Sequence, residues 1–339
     1  MTESSDNNDA DKLPRSVMPT VDLSAYLEGT ASEQDTVAQQ VDETCQASGF
    51  LIIENHGVAD KTIAAAWDMA AAFFALPLET KLAARTSDPT CPRGYFPPQS
   101  ETLAKSRGVA TPPDQKEAFS SGPLAVPGGL SNDIDFDFHY GPNIWPDEPA
   151  EFRKAWICYY HAMEKLGSQL MSLFAAALRL PRDYFVEFHT HHISALRALN
   201  YPSINVALMP GQQRAGAHSD YGSLTILKPD LHVSGLEIQL PSGDWLAAPL
   251  IEDTFVINIG DMMARWTNDR WVSTVHRVVS PPPEEGGLSR RRQSIAYFHN
   301  PNFDADINCI PTCLDDGATM KYPPVQAGQY LYSRFSSAV

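Results

Sequence analysis

The spacing of apolar residues divides the chain into two halves with different periods. From Ser32 to Cys45, and again over "DKTIAAAWDMAAAFFAL", apolar residues recur at helical spacing among good helix formers, with Asp60 the expected cap of the second helix. Between them "GFLIIENHGV" reads as a compact β run, and "TVDLSAYL" as a short strand before the first helix. Proline and glycine crowd residues 90 to 146 ("CPRGYFPP", "SGPLAVPGG", "GPNIWPDEP"), which predicts loops and short strands. A long helix is expected from about Pro149, a residue suited to a first helical turn, to Leu180, where Pro181 helps to end it. Beyond Ser194 come short β-branched and aromatic runs broken by Gly, Pro, Asn and Asp: "ALRALNYP", "SLTILKP", "GLEIQL", "TFVINIG", "STVHRVV" and "QSIAYFH". Their spacing predicts an antiparallel sandwich or barrel. The expected fold is mainly β with flanking helices. It has a flexible tail over 1–14, a largely helical region over 15–180 and a β region over 181–339 that shares one core with the helices.

Composition narrows the partners. The formal charge is −16, and the only dense basic run is Arg290 to Arg292, so neither nucleic acid nor an anionic membrane is expected to bind. No stretch of 18 residues is uniformly apolar, and the first residues are polar and acidic, so no membrane span and no signal peptide are expected. Five scattered cysteines, an odd number, favour a reducing, cytoplasmic compartment.

The candidate chemistry begins at "HSD". One residue separates His218 from Asp220, and in a strand that gap returns both side chains to the same face. A third ligand is expected from the same β region. His276, flanked by β-branched residues in "VSTVHRVV", is the histidine that fits. Two histidines and a carboxylate on one side of a metal leave the opposite positions open, which suits non-haem Fe(II). The same set also suits zinc and hydrolysis. "HTHH", His189 to His192, is a rival cluster without a carboxylate in register. Farther on, Arg292, Ser294, Ala296 and Phe298 share one face of a strand. A guanidinium followed by a hydroxyl describes a grip on a carboxylate, and Tyr201 has a hydroxyl to offer the same anion. Phe298 and Leu227 are candidates for a substrate pocket, and Arg93 or Arg107 for its rim.

These residues, taken in order with "CQASGFLIIENHGV", "FFALPLETK", "RGYFPP", "HSDYGSLTIL", "FVINIGDMMARWTNDRWVSTVHRVV" and "YPPVQAGQYLYSRF", resemble the Fe(II)/2-oxoglutarate-dependent oxygenases of the isopenicillin N synthase-like type. The likeness spans nearly the whole chain. It implies a distorted double-stranded β-helix, or jelly roll, behind a helical N-terminal region. It also implies Fe(II) on His218, Asp220 and His276, with 2-oxoglutarate and O₂ as co-substrates. Arg292 and Ser294 would take the distal carboxylate of 2-oxoglutarate, with Tyr201 near the co-substrate. Asn258, Gly260 and Asp261 would shape a structural turn, Gly260 for its tolerance of unusual backbone angles. The implied reaction hydroxylates a C–H bond of a small organic metabolite and releases succinate and CO₂. The alternative is a synthase-like oxidase that cyclises or desaturates its substrate without 2-oxoglutarate, the Arg292–Ser294 pair then gripping the substrate. Neither reaction needs a second subunit, so a monomer is expected.

Overall fold

The computed structural model describes residues 12–88, 91–128, 134–203, 209–280, 290–314, 317 and 319–338. Twelve strands build its two main sheets: β1 (Thr20–Asp22), β2 (Phe50–Glu54), β3 (Gly94–Phe96), β4 (Glu117–Ser121), β5 (Ala195–Tyr201), β6 (Ala215–His218), β7 (Leu224–Lys228), β8 (Leu236–Gln239), β9 (Trp245–Ala247), β10 (Phe255–Ile259), β11 (His276–Val278) and β12 (Arg292–His299). The larger sheet runs β1-β2-β10-β7-β12-β5-β4-β3, and the smaller β6-β11-β8-β9. All pairings are antiparallel except β1 with β2. The fold is thus helices over one face of a large sheet, with a smaller sheet closing a double-stranded β-helix on the other.

The two faces of the large sheet follow from the two-residue period of a strand. Ile295 and Tyr297 of β12 point into the main apolar cluster with Leu224 and Ile226 of β7 and Ile257 of β10. Against them lies the helix Phe152–Ala177, whose buried stripe includes Trp156, Tyr160, Met163 and Leu170. Tyr160 meets Tyr297 edge-on at 5.3 Å between centroids. The alternate positions face the smaller sheet: Phe50, Ile52 and Val256 cluster with Leu236 and Ile238, and Tyr201 with Ala215 and Val278. Strands from the N-terminal half therefore supply interior residues to the β-helix.

Local expectations fare unevenly. The helix Ala31–Ala47 forms, opened by a capping box in which Thr30 and Glu33 satisfy each other's exposed N–H groups. Asp60 is not a cap: Ala59 holds that position without a side-chain bond, and Asp60 lies inside the first turn, where a carboxylate still meets the positive end of the helix. The long helix begins at Phe152, so Pro149 precedes its first turn. The proline-rich stretch contains a helix, Ile134–Tyr140, that composition hid. Another, Ala327–Ala338, closes the chain. Of the expected tail, residues 1–11 lie outside the described residues, and a short helix, Lys12–Val17, begins within the rest. Among the described residues no helix is long and apolar enough to cross a membrane.

A buried charge network ties the segment between β3 and β4 to the interior face of β5. Arg197, the register partner of Ala296, donates to Glu101 at 2.6 Å. Lys116 lies 3.5 Å from Glu101 and 2.7 Å from Asp114, whose other oxygen accepts from the backbone N–H of Gly216 in β6. Burial alone would raise the Glu101 carboxyl, but Arg197 and Lys116 outweigh it and hold the group at about 2. An unfolded glutamate titrates near pH 4.3. A depressed folded value means stability that is present above that pH and lost as pH falls toward about 2. Urea unfolding of the parent should weaken more steeply from about pH 4.5 downward than that of Glu101→Gln. Equal slopes for the two proteins would remove Glu101 from the account.

Candidate metal centre

β6 and β11 are paired with His276 opposite His218, which sets the two imidazoles side by side at 4.4 Å between centroids. Asp220 joins them, though not through the strand alternation expected from the spacing. β6 ends at His218, and Asp220 lies beyond it, where the chain turns toward β7. The side chains converge nonetheless. Asp220 Oδ1 lies 3.9 Å from His218 Nε2 and 3.8 Å from His276 Nε2, and one donor atom from each residue falls within 4.8 Å of the others.

The partners of these groups decide which atoms face the centre. His218 Nδ1 bonds the carbonyl of Gly216 at 2.7 Å, and His276 Nδ1 that of Thr274 at 3.1 Å. Each ring therefore carries its proton on Nδ1 and offers the Nε2 lone pair inward. Asp220 Oδ2 accepts from Thr225 Oγ1 at 2.5 Å and Asn258 Nδ2 at 2.8 Å, which leaves Oδ1 turned to the histidines. Burial, then the neighbouring His276, lowers His218 and keeps it neutral. Burial would raise Asp220, while the hydrogen bonds from Thr225 and Asn258 favour its ionised form. Two imidazole Nε2 atoms and a carboxylate oxygen, each oriented from behind by its hydrogen bonds, fit Fe(II) well.

Neither supporting residue was visible as such in the sequence. Thr225 lay inside a hydrophobic run, and Asn258 was read as part of a turn. Gly260 is also required for a different reason than expected: its backbone is ordinary and extended (φ −95°), but a Cβ there would lie 2.1 Å from the carbonyl oxygen of Gly222. The approach of the two turns, and not a special dihedral, demands glycine.

Deeper between the sheets lies a second polar group. Arg292 is 2% exposed, stands opposite Tyr201 in register and rests over that ring at 5.0 Å. Its Nη1 is 3.4 Å from Ser294 Oγ, and its Nε has no acceptor among the described residues. Arg214, wholly buried, is close enough that burial, and then Arg292, push it down to about 10. Phe298 shares the face of Arg292 and Ser294, and pairs in register with Thr225, beside the Asp220 carboxylate. Leu227, opposite Ala296, packs into the cluster of Phe50, Ile52 and Ile238.

Other candidates separate from this centre. His189 stacks on His299 at 4.4 Å, His191 binds Asp304, and His192 approaches Glu164, so "HTHH" does not converge on one point. Arg93 is not on a rim: it is 4% exposed and donates to the His139 carbonyl at 2.5 Å. Arg107 is exposed, at the end of the 3₁₀ turn Leu103–Arg107. A cleft of about 260 Å³ lined by His56, Trp67, Lys228 and Asp230, among others, includes none of the three converging ligands.

Comparison with known proteins agrees with this geometry. Residues 18–148 match the model described as non-haem dioxygenase in morphine synthesis N-terminal, and 193–301 that of the 2OG-Fe(II) oxygenase superfamily. A 2-oxoglutarate-Fe(II) type oxidoreductase, hxnY of Emericella nidulans, is 32% identical over 91% of this chain and 86% of its own. A homoarginine-6-hydroxylase of Oryza sativa subsp. japonica is 33% identical over 88% of each. A full-length Neurospora crassa protein crystallised with alpha-KG and thymine is 33% identical, with a TM-score of 0.83 over 94% of this chain and 96% of that one.

The support behind Asp220 makes a quantitative prediction. Asp220→Ala should abolish Mn(II) binding in calorimetry while the folded far-UV spectrum persists. Thr225→Val, which removes one bond to the ligand, should weaken binding about tenfold. Parent-like affinity in Asp220→Ala would place the metal elsewhere.

Proposed function

The chain belongs to the 2OG-Fe(II) oxygenase superfamily, and on that premise we propose how its residues divide the reaction. It is a non-haem Fe(II)- and 2-oxoglutarate-dependent dioxygenase that hydroxylates a small molecule, with iron held by His218, Asp220 and His276. Bound iron supplies O₂ activation coupled to oxidative decarboxylation of 2-oxoglutarate to succinate and CO₂. Arg292 and Ser294 hold the distal carboxylate of the co-substrate, and Tyr201, under the guanidinium, forms the wall beside it. Phe298 and Leu227 border the substrate, Phe298 near the Asp220 carboxylate and Leu227 from the adjacent strand. The sheets and the N-terminal helices keep bulk water from this space.

One observation carries the assignment: a buried guanidinium, Arg292, with an unused N–H. A cation withdrawn from water is costly unless an anion joins it, and no carboxylate pairs with Arg292 among the described residues. A dicarboxylate reaching from the metal answers that need. We place the chain in the isopenicillin N synthase-like branch, a reading supported by the order of its motifs. We also read residues 181–339 as the catalytic region and 15–180 as its support. Relatives named for homoarginine or crystallised with thymine favour a small, nitrogen-bearing metabolite. Five free cysteines and the acidic charge favour a cytoplasmic monomer that binds no nucleic acid.

Anaerobic titration with 2-oxoglutarate, followed by the charge-transfer absorption of its Fe(II) chelate, tests the assignment. Arg292→Leu should weaken binding about 100-fold, because a charged hydrogen bond is lost. Arg292→Lys should recover part of it, since an ammonium cannot reproduce the planar fork. Unchanged affinity in Arg292→Leu, or product formation by dialysed enzyme without 2-oxoglutarate, would instead favour the synthase-like use of this pair.

A further inference from the structure

The turn that carries the metal ligands is held from outside by one aspartate. Asp261 opens the short helix Asp261–Trp266, and its backbone N–H donates to the Asp220 carbonyl at 2.7 Å. The next N–H, of Met262, reaches the carbonyls of Tyr221 and Gly222. The first N–H groups of a helix have no partners within it, and here the ligand turn supplies them. The Asp261 carboxylate accepts from Ser273 Oγ at 2.7 Å, on the approach to His276. Asp261 thus ties together the chain at Asp220 and the approach to His276.

The same carboxylate is where the C-terminal helix Ala327–Ala338 meets the site. Tyr330 donates to Asp261 Oδ2 at 3.4 Å, and Arg334 approaches it at 3.6 Å. The Arg334 guanidinium also lies over the Tyr221 ring, 4.8 Å from its centroid, directly after Asp220 in the chain. The helix packs on the 3₁₀ turn Leu103–Arg107, which in turn packs on β6, the strand of His218.

Resting on the metal-site reading above, we propose that the C-terminal helix is a strap that positions this centre, with Arg334 and Asp261 as its positioning residues. Arg334 supplies the countercharge that keeps a largely buried carboxylate bridging the ligand turn. Its guanidinium also clamps Tyr221 against the helix. Neither residue touches the metal or a substrate. Their effect passes through the Ser219–Tyr221 backbone, some 110 residues before the helix that fixes it (334 − 220 = 114).

Cobalt(II) titration of the full-length protein tests the strap, because the d–d absorption reports both affinity and ligand geometry without any turnover. Arg334 is partly exposed, so Arg334→Ala is expected to fold, and its thermal midpoint is measured alongside. The expected result is about a tenfold loss of Co(II) affinity with an altered d–d band in Arg334→Ala, and partial recovery of both in Arg334→Lys. An unchanged affinity and spectrum overturns the strap, as does a lowered thermal midpoint with both unchanged, which would mark a purely structural contact. A parent protein whose Co(II) spectrum is indifferent to Asp220→Ala overturns the metal-site reading itself, and the strap with it.

Discussion

A carboxylate with one oxygen tied and the other aimed is the constraint on which this molecule turns. Asp220 stands outside any strand, so nothing in its own backbone fixes its side chain. Thr225 of β7 and Asn258 of β10 fix it from the large sheet, while His218 and His276 present themselves from the small one. The site therefore exists only where the two sheets face each other at the correct distance. That spacing depends on the apolar layer of Phe50, Ile52, Val256, Leu236 and Ile238, and on helices that keep the large sheet's other face dry. Packing at native density transmits such a demand, since small shifts in a close-packed interior are not absorbed locally.

The second half of the site inverts the usual logic of a core. Arg292 is buried with an N–H that has no acceptor among the described residues, which suits an anionic ligand. Between the β3–β4 segment and β5 the charges are instead balanced within the protein, with Arg197 and Lys116 against Glu101 and Asp114. An anion is thus called for at Arg292 and already provided for beside Arg197 and Lys116.

How much of this the sequence disclosed depended on the range of the interaction involved. The alternation of β12 placed Arg292, Ser294 and Phe298 on one face correctly, because strand period is a local property. His218 and Asp220 were matched with His276 through their chemistry, although the supposed strand geometry of the pair was wrong. The helix Ile134–Tyr140 was missed because its Asp, His and aromatic residues sit amid prolines and glycines that dominate the local pattern. Thr225 and Asn258 were illegible as supports, since their role arises from a register between strands 33 residues apart (258 − 225). Arg93 looked like a rim cation only because sequence does not show that the carbonyl of His139, 46 residues away, would cover it.

The most direct measurement of the central claim is a crystal structure of the protein grown without oxygen in the presence of Fe(II) and 2-oxoglutarate. The account predicts iron bound by Nε2 of His218 and His276 and by Oδ1 of Asp220, at about 2.0–2.2 Å. It also predicts the distal carboxylate of the 2-oxo acid on the Arg292 guanidinium and the Ser294 hydroxyl. Iron at any other ligand set, or a 2-oxo acid that leaves Arg292 without a carboxylate, would contradict it.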